Sequence, residues 1–456
     1  MTRLAQRLED VDFPPITRHF GRVTRITGQT IQISGLNHRL GHGALIEVER
    51  ERAAPMRGEV IALESQHAIA TLYGSASDLK IGQSVEHVRA ADIRPSLDWV
   101  GRVLDHNGVD INGARPKQGL KTVEIDAPPP PAILRKSLGD RLTTGVAAID
   151  TFLPLCQGQR IGLFAGSGVG KSTLLGTIAK SSNAEITIIA LIGERGREVR
   201  HFVEKTLGPE GMAKSIVFAA TSDMSSALKL RTAQLAMSTA EYFRDEGKQV
   251  LCLFDSLTRY AESHRDIALS AGEIPALKAF PPSTFRSLAE LCERSGPGVD
   301  GSGDITAVFS VLVAGSDMEE PVADMVRGIL DGHIILSREI AERGRFPAID
   351  IRRSVSRSLP AAASEEENQF LAMGREVIMR YEEAEAIIQA GLYVKGSDPN
   401  LDIAVELYPA IDGFVGSQET SSLDESFETL KSSLGIPAQP DINEQDNSDD
   451  AASTSA

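Results

Sequence analysis

Cysteine is scarce in the chain. Cys156, Cys252 and Cys292 are the only three among 456 residues, they are far apart, and most of their neighbours are apolar. An odd, scattered set excludes a disulfide frame or a cysteine metal cluster and predicts reduced core thiols in a cytosolic protein. Long apolar runs are missing too. The richest, Ile186 to Ile192 and Ile305 to Val313, fall far short of the ~18 residues that cross a bilayer, and both read as buried strands. Met1 to Val11 lacks the apolar segment of a secretory signal, being interrupted by Arg3, Arg7, Glu9 and Asp10. Aromatic residues make up only 5%, with one tryptophan. Basic residues are outnumbered, 47 Lys and Arg against 63 Asp and Glu, for a formal charge of −16. Such a chain does not gather nucleic acid by a long-range field, although a local basic pocket for a small anion remains compatible with it.

What is present suits a soluble multidomain protein. Hydrophobic residues at 41% and charged residues at 24% are globular values, and 456 residues exceed what one core supports, which predicts two to three domains. The texture then sharpens the count. Residues 1–20 carry Leu4, Leu8 and Val11 at helical spacing, either a docking helix or a locally packed terminus. Residues 21–93 are short β-branched runs broken by glycine, the pattern of a small β-barrel. Residues 94–362 begin with a turn-rich connector, including Pro128 to Pro131, expected to lie over the next domain. From Gly162 strand-like and helical stretches alternate, as in a mostly parallel sheet covered by helices. Residues 363–436 turn helical, with capping-box spacing at Ser364 to Glu367 and an apolar face of Phe370, Val377, Ile378, Tyr381 and Ile387. Residues 437–456 form a polar tail with five acidic groups between Asp441 and Asp450, expected to be disordered.

The chemistry is written in the third of these stretches. Ile161 to Leu175 reads strand, glycine loop, helix, with Ala165, Gly166, Ser167, Gly168, Val169, Gly170, Lys171, Ser172 and Thr173 across the turn. Glycines let successive N–H groups face one phosphate, the helix N-terminus adds positive potential, Lys171 reaches the outer phosphates, and Ser172 offers a hydroxyl to Mg²⁺. The strict pattern begins with glycine where this chain has Ala165, a substitution that costs little. An apolar run ending in Asp255 supplies an acid to hold Mg²⁺ through its water shell, expected at the end of a neighbouring strand. A second run delivers Glu194 to a strand end, where a group that activates water belongs. Glu194, Arg195, Arg197 and Glu198 also fit a solvated charged turn.

Four motifs in order, Gly162 to Ser172, Gly193 to Glu198, Asp255 to Ala261 and Ser354 to Arg357, resemble the flagellar export ATPases. These belong with the type III secretion ATPases and the catalytic subunits of F-type and V-type rotary ATPases. The resemblance runs from about Gly21 to Gly416. It implies an α/β architecture, a RecA-like P-loop core with a parallel sheet between an N-terminal β-barrel and a C-terminal helical domain. It also implies that Glu194 is the catalytic glutamate, with Arg195 near the γ-phosphate and Arg259 in the phosphate pocket. Phe346 would stack on adenine, where many relatives have tyrosine, and Arg357 would be the finger that enters the adjacent subunit's site. Arg352 and Arg353 are close enough that the choice of Arg357 rests on the motif. The implied cofactor is Mg²⁺ with ATP, and the implied assembly is a homohexamer that meets export apparatus proteins, a regulatory stator protein, export substrates and chaperones. Its implied place is cytoplasmic and peripheral at the membrane export gate, with no nucleic acid partner.

Other readings compete. A virulence-type secretion ATPase shares the motifs, a non-catalytic nucleotide-binding subunit would lack Glu194, and an RNA-translocating hexamer shares the core. The last is disfavoured because only Phe20 and Tyr73 are aromatic near the barrel, too few for stacking platforms.

Overall fold

The computed structural model describes residues 18–89, 92–313, 318–417 and 422–436. The Leu4, Leu8, Val11 stripe and the acidic tail lie outside the described residues.

The β-branched runs form a closed six-stranded barrel: β1 (Phe20–Thr27), β2 (Thr30–Ser34), β3 (Leu45–Val48), β4 (Met56–Leu63), β5 (Ala68–Leu72) and β6 (Ser84–His87), in the order β1-β2-β5-β4-β3-β6. Alternation sets its interior. Ile31 and Ile33 on β2 point inward with Val23, Val48, Val60 and Leu72, while the residues between them face out. Pairing of β6 with β1 leaves no free edge. Tyr73 does not present a stacking surface. Its hydroxyl meets Glu59 at 3.2 Å, and its carbonyl accepts from Ser225 of the next domain at 3.3 Å.

The turn-rich stretch does more than lie over the next domain. Val103–Leu104 (β7) joins the edge of the central sheet by pairing with β12 (Ser215–Thr221), and Trp99 is fully buried with its ring edge-on to Phe218. The short apolar pieces here were too brief to show a period. After a small ribbon of β8 (Arg141–Leu142) and β9 (Leu155–Cys156), the sheet is completed by β10 (Arg160–Ala165), β11 (Ile186–Glu194), β13 (Gln249–Asp255), β14 (Gly296–Pro297), β15 (Asp304–Leu312), β16 (Gly332–Leu336) and β17 (Val355–Ser356). Its order is β17-β16-β10-β15-β13-β11-β12-β7, parallel throughout except for β17 and for β14, which pairs with β15. Helices cover both faces, so the inner strands are buried on both sides and read as unbroken apolar runs. The three thiols are all buried and free.

The C-terminal helices Glu365–Gln389, Pro399–Val415 and Leu423–Ser433 extend one of these faces. Ser364 and Glu367 make both bonds of the capping box. Val377 and Ile378 are buried, Phe370 and Tyr381 pack at the margin, and Phe152 of the central domain meets Phe414 edge-on. Ile387 departs from the expected face and is 50% exposed, because the core contacts end before the last turns of the first helix. Among the described residues no helix is long and apolar enough to cross a membrane.

Candidate active site

The loop after β10 begins at Gly166, because Ala165 is the last strand residue and its side chain lies in the core. Methyl for hydrogen at that point therefore costs the loop nothing. Gly168 and Gly170 take φ of +81° and +87°, a region L side chains avoid, and Gly170 caps helix α1 (Lys171–Ser181). The N–H groups of the first helical turn have no partner within the helix and face outward with the positive end of its dipole. Ser172 and Thr173 are exposed on that turn.

Three strand ends converge beside the loop. Lys171 hydrogen-bonds Asp255 at the end of β13, and its Nζ stands 3.6 Å from Glu194 Oε1 at the end of β11. The Asp255 strand is not next to β10, as the sequence suggested. β15 lies between them, and its Ser310 donates to Asp255 Oδ1 at 2.5 Å. Asp255 is almost fully buried and Lys171 nearly so, whereas Glu194 is part-exposed. Burial, and then the charge of Asp255, push the Glu194 carboxyl from the ordinary carboxylate range up to about 7, against the pull of Lys171. Glu198 hydrogen-bonds Glu194, and that bond is the main reason its own carboxyl is held low. Sequence alone offered Glu198 only as a surface charge.

The arginines behave differently. Arg195 is 67% exposed and pairs with Glu198 at 3.1 Å. Arg259 pairs with Glu262 at 2.8 Å, and its stem closes over Gly193, where a Cβ would come within 3.0 Å of it at φ +77°. Both flank the Glu194 end of the sheet. Arg357 does not. It follows β17, which pairs with the start of β16, and its backbone N–H donates to Asp331, whose own N–H reaches Arg160 at the start of β10. The glycine loop follows the other end of β10, roughly 16 Å away at about 3.3 Å per residue. The Arg357 side chain is exposed, with no ion pair or hydrogen bond to its guanidinium among the described residues. Arg352, by contrast, sits 3.7 Å from Glu383.

A cleft of about 330 Å³ opens on the far side of the loop, lined by Val146, Gly168, Gly170, Thr173, Leu174, Thr177, Phe346 and Pro347. A Cβ on Gly170 would lie 3.2 Å from the Phe346 ring, so the loop passes directly beneath it. Arg345, which bonds Asp412 at 3.0 Å and the Ile349 carbonyl at 2.9 Å, ties the Phe346 segment to the C-terminal helices. Val146 and Pro347 were not singled out from the sequence, since an apolar wall carries no motif.

Residues 145–356 match the model of the ATP synthase alpha/beta family nucleotide-binding domain, and residues 363–432 match the C-terminal domain of the EscN type III secretion ATPase. The chain is 42% identical over 439 residues to the flagellum-specific ATP synthase of Caulobacter vibrioides, covering 94% of this chain and 98% of that one. The flagellum-specific ATP synthase of Salmonella typhimurium is 40% identical over 429 residues, 91% of this chain and 94% of the relative. The chain belongs to the family of flagellum-specific ATP synthases and type III export ATPases. The assembled EscN ATPase of enteropathogenic E. coli superposes with a TM-score of 0.84 at 37% identity, covering 91% of this chain and all of that one. As a member of this family the chain is an ATPase with a RecA-like core between a barrel and a helical domain.

Proposed function

We propose that the chain hydrolyses Mg-ATP as a homohexameric ring and couples that hydrolysis to the delivery or unfolding of flagellar proteins for export. The observation that carries this reading is the split geometry. Lys171, Asp255 and Glu194 meet at one end of the sheet, while Arg357 stands unengaged at the other.

The donor set suits a hard cation. Ser172 offers an exposed hydroxyl, and both hydrogen bonds of Asp255 fall on Oδ1, leaving Oδ2 to accept from a water of the metal's shell. Mg²⁺ bound there would neutralise phosphate charge. The residues of the chain supply the rest. The loop N–H groups and Lys171 hold the β- and γ-phosphates, and Phe346 stacks on adenine with Val146 and Pro347 forming an apolar wall. Glu194, poised near neutrality, takes a proton from the attacking water at its carboxylate. Arg195 and Arg259, now held by surface carboxylates, flank the Glu194 end and would turn from those partners to the phosphates.

Arg357 lies too far along β10 to reach a nucleotide on its own chain. A head-to-tail neighbour brings it to the next copy's phosphates, and such a heterologous contact closes when its rotation divides a full turn. One chain that carries both Glu194 and Arg357 needs no second kind of subunit. The export substrates, chaperones, stator protein and peripheral membrane attachment proposed for it follow from family membership, and the assembled state of EscN supports the ring. Phosphate release per chain is expected to rise with protein concentration and to vanish in Lys171→Ala. Turnover per chain that stays constant down to concentrations where only monomers remain contradicts the shared site.

A further inference from the structure

Asp255 has two partners of different character. Lys171 reaches it from the glycine loop, and Ser310 reaches it from β15, the strand between the loop strand and the Asp255 strand. Both donate to the same oxygen. Lys171 is a flexible side chain with a second task, because its ammonium must leave Asp255 to meet an incoming phosphate. Ser310 has no second task. It is fully buried, its backbone is fixed in the parallel ladder opposite Leu163, and its hydroxyl donates to Asp255 Oδ1. A second tie holds the same two elements together. Leu312 N–H donates to the Thr258 hydroxyl at 2.8 Å, which joins the end of β15 to the first turn of the helix after Asp255.

We infer that Ser310 is a positioning residue for the metal half of the site: it keeps the Asp255 carboxylate oriented once Lys171 has moved to the nucleotide, with Oδ2 turned to the water shell of Mg²⁺. The inference rests on the reading of Asp255 as the metal-side acid. A carboxylate held by one short hydrogen bond on Oδ1 keeps its plane and its free lone pairs in place. A carboxylate that has lost both donors is free to rotate about its Cβ–Cγ bond, and outer partners of this kind typically change metal affinity or activity about 10–100-fold.

The test is equilibrium binding of N-methylanthraniloyl-ADP to the full chain, with and without Mg²⁺, followed by fluorescence. Wild type is expected to bind more tightly with Mg²⁺. Ser310→Ala is expected to keep the Mg²⁺-free affinity and lose about tenfold of the Mg²⁺-dependent gain, with the Mg²⁺ midpoint for ATP turnover rising by a similar factor. Ser310→Thr, which keeps the hydroxyl, restores most of it. Ser310→Cys fills the site with a slightly larger atom that is only a weak donor, and is expected to show an intermediate loss even if the Ala variant fails to fold. An unchanged Mg²⁺ gain in both Ala and Cys variants, or a loss of equal size with and without Mg²⁺, overturns the positioning role. Failure of the underlying reading looks different: wild type itself would show no Mg²⁺ gain, or Lys171→Ala would leave nucleotide binding intact.

Discussion

The two ends of the central sheet carry opposite kinds of chemistry. At the C-terminal ends of β10, β11 and β13, Lys171, Glu194 and Asp255 are packed together, their charges mutually engaged and largely withdrawn from water. At the opposite end, beside the start of β16, Arg357 is exposed and its guanidinium engages nothing among the described residues. Buried charges need partners, and the first group has them within the chain. The exposed arginine has given up nothing to solvation and is available to a second molecule. The contrast teaches where the proposed shared site divides: one copy gathers Lys171, Glu194 and Asp255, and leaves Arg357 exposed for a neighbour.

Breaking the exposed side is expected to have the largest effect. Arg357→Ala should lower kcat by about 10³-fold or more, as loss of an arginine finger does, while nucleotide affinity of the isolated chain and its melting temperature stay near wild type. Stopped-flow phosphate release and nucleotide binding on the same preparation check both halves. If Arg352→Ala rather than Arg357→Ala produces the loss, the finger has been misplaced by five residues of chain. On the buried side, Glu194→Gln should cost about 10²–10⁴-fold in kcat with ATP still bound.

The same carboxylate gives the comparison a pH axis. Its pKa in the folded chain is about 7, and only the ionised form accepts a proton from water, so kcat/KM is expected to rise from pH 6 to pH 8. The sign for stability is the reverse. A carboxylate raised from 4.5 to about 7 makes the folded state bind more protons than the unfolded one between those values, so the Glu194 contribution falls as pH rises through that window. Glu194→Gln should therefore melt higher than wild type at pH 8, with the gap closing toward pH 5; an equal shift at both pH values removes the buried-charge explanation. The smallest effect belongs to the base cleft. Phe346→Ala should raise KM for ATP by roughly tenfold, the value of a lost stacking face, with kcat little changed, and Phe346→Tyr should be near neutral.

Much of this was legible because the chemistry is local in sequence. Gly166 to Ser172 spells the loop and its helix, the apolar runs ending in Glu194 and Asp255 spell buried strands that point at it, and the β-branched segments before residue 93 spell a barrel. What escaped was set by strand order. Nothing in a run of residues says that β15 lies between β10 and β13, so Ser310 passed as one more small residue in an apolar strand until the sheet placed it against Asp255. Glu198 was hidden for a related reason, since charge near a helix start reads as solvated until the fold sets its carboxylate against the raised Glu194 carboxyl as a hydrogen-bond partner. Trp99 and β7 were lost in a stretch too irregular to show any period.

The central claim, a site shared between copies, is tested most directly by mixing. Glu194→Gln chains have an intact Arg357 and Arg357→Ala chains an intact Glu194, so a mixed ring holds some interfaces with both groups whole. The two inactive preparations, combined and allowed to exchange subunits, are predicted to regain ATP turnover that peaks near equal proportions. Assembled mixed rings with no recovery at any ratio would contradict the account.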